Sequence, residues 1–92
     1  MSLSAKDIQY YLDREDARKA IEVAQTIIDE SSNPSDQVYY LLGNAYRKLG
    51  DWQHAINNYL KAIEINPSSP ANQAYQMAND ILNFFNKDMY NQ

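Results

Sequence analysis

Two helix-length stretches meet at Gly50-Asp51, and the residues on either side of that pair limit this part of the chain to a helical hairpin. From Asp36 to Leu49, the residues Tyr39, Leu42, Gly43 and Tyr46 fall at steps of three and four, on one face of a helix. From Trp52 to Ile65, the row Trp52, Ala55, Ile56, Tyr59, Ala62 and Ile63 does the same. Gly50 suits the C-terminal end of the first helix and Asp51 the N-cap of the second. Asn66-Pro67 closes the second helix, because a residue before proline avoids the helical region. Gly43 costs about 1 kcal/mol relative to alanine inside a helix. Close approach of a neighbouring helix is what offsets that cost.

The flanks extend the pattern. Ser4 to Asp13 predicts a short helix, with Ser4 as cap, Asp7 three residues on, and an apolar stripe of Ile8, Tyr11 and Leu12. The acidic turn Asp13-Arg14-Glu15-Asp16 leads into a second helix to about Glu30, faced by Ala17, Ala20, Ile21, Ala24, Ile27 and Ile28. Ser31-Ser32-Asn33-Pro34-Ser35 breaks it. After Pro67, Ser69 as N-cap and Pro70 at the first helical position start a fifth helix, to about Lys87. Its expected core face is Ala74, Met77, Ala78, Ile81 and Phe85, and its polar face holds Gln73, Gln76, Asp80, Asn83 and Lys87.

Slid by 35 residues, the chain matches itself: Tyr11 falls on Tyr46, Asp16 on Asp51, and Ala20-Ile21 on Ala55-Ile56. The same offset places Met77, Ala78 and Ile81 on Leu42, Gly43 and Tyr46. The first unit departs from the pattern, with Asp7 at the place of Leu42 and Ile8 at that of Gly43, and Pro34 to Pro67 spans 33 residues. Its first helix is therefore expected to be shifted, shortened or poorly ordered.

Composition narrows the chemistry. The 92 residues carry a net charge of −4, with 8 basic and 12 acidic side chains, which argues against nucleic acid as a partner. No cysteine and one histidine leave no Cys-His pair, HExxH motif or zinc quartet, and two isolated glycines make no phosphate loop. No catalytic residue, cofactor or metal is expected, and the chain reads as a non-enzyme. No apolar run is long enough to span a membrane, and the N-terminus lacks an apolar signal core, so the default expectation is cytoplasmic. His54 reads as a surface histidine, and Trp52 as an aromatic packed between helices.

Tyr39-x2-Leu42-Gly43-x2-Tyr46, then Ala55-x3-Tyr59, then Pro67, resembles the tetratricopeptide repeat, with Tyr39 in place of tryptophan and Tyr59 in place of phenylalanine. The resemblance implies an all-α fold: about five helices, in antiparallel helix–turn–helix pairs stacked as a short right-handed superhelix. It divides one domain, 1–92, into a degenerate first repeat (4–33), a well-matched repeat (36–69) and a capping helix (70–88). It also implies a groove, lined by the first helix of each pair, that receives a peptide or partner helix. On the third helix the face left over from the core stripe is Gln37, Tyr40, Leu41, Asn44, Arg47 and Lys48; the fifth helix adds Tyr75, Asn79 and Leu82, and the first adds Gln9 and Leu12. Some family members clamp the terminal carboxylate of chaperone tails, but Tyr40 and Leu41 stand where that clamp places polar or basic groups.

The expected function is therefore protein–protein recognition by a preformed surface. The alternative is a self-associating scaffold, a homodimer built through the exposed ends of the short array or through Phe84 and Phe85. RNA reading, known for related pentatricopeptide arrays, fits poorly with the acidic balance.

Overall fold

The computed structural model describes residues 3–85. They form five α-helices: α1 (Ala5–Asp13), α2 (Ala17–Glu30), α3 (Asp36–Lys48), α4 (Trp52–Ile65) and α5 (Ala71–Phe85). No strand occurs among the described residues. Neighbours in sequence pack as neighbours in space, and α1 also reaches α3.

Local chemistry sets the helix ends. Asp7 Oδ2 accepts the Ser4 N–H at 2.8 Å at the start of α1. Asp16 Oδ1 accepts the Lys19 N–H, and Asp51 Oδ1 the His54 N–H, each at 3.2 Å, so α2 and α4 carry the same cap 35 positions apart. The turns before them also match: the Asp16 and Asp51 N–H groups bond the carbonyls of Tyr11 and Tyr46, both at 2.9 Å. Gly50 sits at φ 77 and Glu15, its counterpart, at φ 60. The left-handed conformation that glycine adopts freely is thus imposed on a glutamate in the first turn.

Two groups of buried side chains make the interior. The first gathers Ile8 and Leu12 from α1, Ala20 and Ala24 from α2, and Leu41, Leu42 and Ala45 from α3. The second gathers Ala55, Ile56, Tyr59 and Ala62 from α4 with Ala71 and Ala78 from α5. Tyr40 and Tyr46 pack against both and join them. The first helix is ordered and in register with α3 at the offset of 35, but it is shortened at its start, nine residues against thirteen. It buries Ile8 completely, at the place where the second unit has Gly43.

The fifth helix departs from expectation. It begins at Ala71, one residue after Pro70, with Ser69 Oγ accepting the Ala71 N–H at 3.0 Å. Its core row is Ala71, Ala74, Tyr75, Ala78 and Leu82, packed against α4. Met77, expected inside, is 50% exposed. Ala71, Ala74, Tyr75 and Ala78 stand in the roles of Val38, Leu41, Leu42 and Ala45, an offset of 33 rather than 35. Adjacent rows on one helix share the three-and-four spacing, so the pattern alone allowed either rotation. The expected side-chain role of Phe85, the helix end at Lys87 and the end of the capping unit at Asp88 lie outside the described residues.

Candidate functional site

On α3, Gln37, Tyr40, Asn44 and Arg47 recur at steps of three and four, and none of the four is fully buried. Their chemistry is varied: an exposed amide, a half-buried ring, a half-buried amide and a guanidinium that makes no ion pair among the described residues. A row of this kind offers area, hydrogen bonds and positive charge to a partner.

Tyr59 shapes the row from beneath. Its ring is fully buried and lies 6.2 Å from that of Tyr40, centroid to centroid. Its hydroxyl donates to Asn44 Oδ1 at 2.6 Å. Burial pushes the phenol pKa up to about 12, against the lowering effect of Arg47. The phenol therefore keeps its proton at neutral pH and stays a donor to Asn44.

The remaining residues of the expected face go elsewhere. Leu41 is 4% exposed and belongs to the core between α1, α2 and α3, so it offers no surface. The buried row of α3 is Val38, Leu41, Leu42, Gly43 and Ala45, rotated from the expected Tyr39, Leu42, Gly43 and Tyr46, of which both tyrosines are only half-buried. Leu12 is buried in the same way. Lys48 reaches across to Glu15, with Nζ 3.3 Å from Oε2, and links the two helix turns. Gln9 donates to Asp13 at 2.8 Å along the outside of α1.

Tyr75 and Asn79 are both half-buried on α5, and Tyr75 packs against the α4 core. They do not continue the α3 row. At the offset of 33, the positions that follow Tyr40, Asn44 and Arg47 are Gln73, Met77 and Asp80, all exposed. The Pro34-to-Pro67 spacing held that offset in the sequence.

Other polar groups have local duties. His54 Nδ1 lies 2.8 Å from Asp51 Oδ2, and its ring stacks on Tyr46 at 4.9 Å. Trp52 is half-buried against the α4–α5 core. Among the described residues no three His, Asp or Glu side chains stand together as a metal site, and no helix is long and apolar enough to cross a membrane.

Comparison with known proteins adds two findings. Residues 37–69 match the profile of the tetratricopeptide repeat. The chain is also similar to the solution NMR structure of Bacteroides fragilis protein BF1650, with a TM-score of 0.84 and 50% identity over 99% of this chain and 92% of that one. No curated protein matches the chain.

Proposed function

We infer that this chain, which belongs to the tetratricopeptide repeat family, binds an extended peptide or a partner helix along α3, with Gln37, Tyr40, Asn44 and Arg47 as the contact row. The family is one of protein–protein interaction and scaffold modules, in general non-catalytic. The observation that carries the finer reading is the row itself: four side chains at helical spacing, each leaving surface exposed, set on a helix packed against α4. On α5 the row runs on through Gln73, Met77 and Asp80, which exchange positive charge for negative along its length.

The test is affinity capture of partners from lysate with the wild type and with Gln37→Ala and Arg47→Glu, two changes that leave the core alone. The expected result is loss of the captured proteins with Arg47→Glu. Equal capture by all three forms removes the assignment. Asn44→Ala is a poorer probe, because it also strips the Tyr59 hydroxyl of its acceptor.

Self-association is the second reading. Met77 and Phe84 lie seven apart on α5 and are 50% and 73% exposed. Sedimentation equilibrium decides it: a monomer at high concentration excludes a dimer through this end of the array.

A further inference from the structure

A side-chain amide has an acceptor end and a donor end, and turning it over exchanges them. At Asn44 the fully buried Tyr59 hydroxyl takes one end, donating to Oδ1 at 2.6 Å. Nδ2 bonds nothing among the described residues. Asn44 is half-buried, and no buried side-chain nitrogen or oxygen among the described residues lacks a partner. Nδ2 is therefore not buried. The amide oxygen faces in, towards α4, and the NH2 group faces out, into the α3 row.

The phenol holds this orientation because its proton has one acceptor among the described residues, Asn44 Oδ1. Arg47, whose charge is felt at the phenol, carries donors and no acceptor. Turning the amide over would set Nδ2 against the hydroxyl and leave a buried O–H with nowhere to donate, the costly way to break a hydrogen bond. The other units lack this arrangement. At the offset of 35, Gln9 stands for Asn44 and Ala24 for Tyr59, and Gln9 donates instead to Asp13 on its own helix. On α5, at the offset of 33, the place of Asn44 is held by Met77.

We propose that Tyr59, on the second helix of the pair, is a positioning residue for the α3 row: its hydroxyl fixes Asn44 so that the middle of the row presents an NH2 group and takes only hydrogen-bond acceptors. Arg47, one turn further on, is donor-only as well. Together the two favour oxygen atoms on whatever lies along α3 and reject N–H and ammonium groups. The consequence for a partner rests on the α3 row being the contact surface; the orientation of Asn44 does not.

The experiment is side-chain NMR on the whole 92-residue chain, as wild type and as Tyr59→Phe, which keeps the ring and removes the hydroxyl. In the wild type the Asn44 Nδ2 protons are expected to exchange with water at a rate close to that of the exposed Asn57. Asn44 Cγ is expected downfield of Asn57 Cγ, because its oxygen accepts a hydrogen bond. In Tyr59→Phe the Asn44 Cγ signal should move upfield to the Asn57 value, while the backbone amides of Ala55 and Ala62 stay in place. Two probes then read the selectivity. N,N-dimethylacetamide, which accepts and cannot donate, should shift the Asn44 Nδ2 protons in the wild type and shift them less in Tyr59→Phe. Methylammonium, which donates and cannot accept, should leave the Asn44 side chain in place in the wild type and shift it in Tyr59→Phe. Strong protection of the Nδ2 protons in the wild type overturns the proposal, since the amide would then face the other way. A Cγ signal unmoved by Tyr59→Phe overturns it, since a purely structural tyrosine would behave so, and equal responses of the two proteins to both probes overturn it too. None of these readings uses a captured partner, so failure of the contact row in the lysate test and failure of the positioning are told apart.

Discussion

Gly43 lies so close to Tyr59 that a Cβ built on it would stand 2.5 Å from Tyr59 Cε1. The glycine lets α3 and α4 approach, and the ring fills the space that the approach encloses. One unit earlier the same two places hold Ile8 and Ala24, both 0% exposed. The large side chain has moved to the first helix and the small one to the second. What looks in sequence like a decayed repeat is the same packing with its sizes exchanged.

Gly43→Ala is therefore expected to destabilise the protein by about 2 kcal/mol, a clash in a filled core outweighing the better helix propensity of alanine. Tyr59→Ala should cost about 3–5 kcal/mol through the cavity it leaves. Gly43→Ile combined with Tyr59→Ala copies the first unit and should cost less than the two single changes added together. Urea denaturation of the four proteins measures the coupling; strict additivity would show that the size exchange has no energetic meaning.

The Tyr59 hydroxyl gives a pH signature. Burial raises its pKa to about 12 from the 10.0 of an exposed phenol. The unfolded chain then releases this proton more readily than the folded one, so the contribution is complete below pH 10 and is lost as pH rises towards 12. Tyr59→Phe should cost about 1 kcal/mol at neutral pH through the lost bond to Asn44. It should also show a shallower loss of stability above pH 10 than the wild type. Thermal melts across that range check the prediction; parallel alkaline profiles would refute it.

Glu15 holds a left-handed backbone conformation at φ 60 and an exposed ion pair with Lys48 at 3.3 Å. The strain costs about 1 kcal/mol, and an exposed pair returns about 0.2–1 kcal/mol. Glu15→Gly should therefore raise the melting temperature slightly. The gain should grow in 1 M salt, where the wild type loses the pair to screening. A melting temperature that falls in both conditions would mean that Glu15 does more than the geometry indicates.

The rotation of α5 separates two neighbouring residues. Ala78 is buried against α4, while Met77 is half exposed. Ala78→Leu should destabilise by about 1–3 kcal/mol through overpacking, and Met77→Gln should change stability by less than about 0.5 kcal/mol. The reverse order in a urea titration would restore the rotation that the 35-residue offset suggested.

Most of the architecture was legible because helices announce themselves locally. Caps such as Asp16 and Asp51, the breaker at Asn66-Pro67 and the three-and-four spacing each act within a few residues of chain, and α4 begins and ends where they place it. The candidate face was legible only in part. Gln37, Tyr40, Asn44 and Arg47 form a row with surface to offer, whereas Leu41 sits one step round the helix and is covered by α2 and α1. Lys48, expected on that face, instead pairs with Glu15, 33 residues away, a contact no local spacing encodes.

Gly50-Asp51 and its flanking rows determined, from sequence alone, that this chain folds as helical hairpins of one family. Those signals are short-range: a cap, a turn and a periodic face act through the backbone nearby. Tertiary structure alone decided which side of α3 and α5 faces a neighbour, and that Ile8 and Ala24 replace Gly43 and Tyr59. Each of these depends on the distance and rotation between helices. Those are set by how side-chain volumes from different segments fill one shared space, which the spacing of residues along a single helix does not encode.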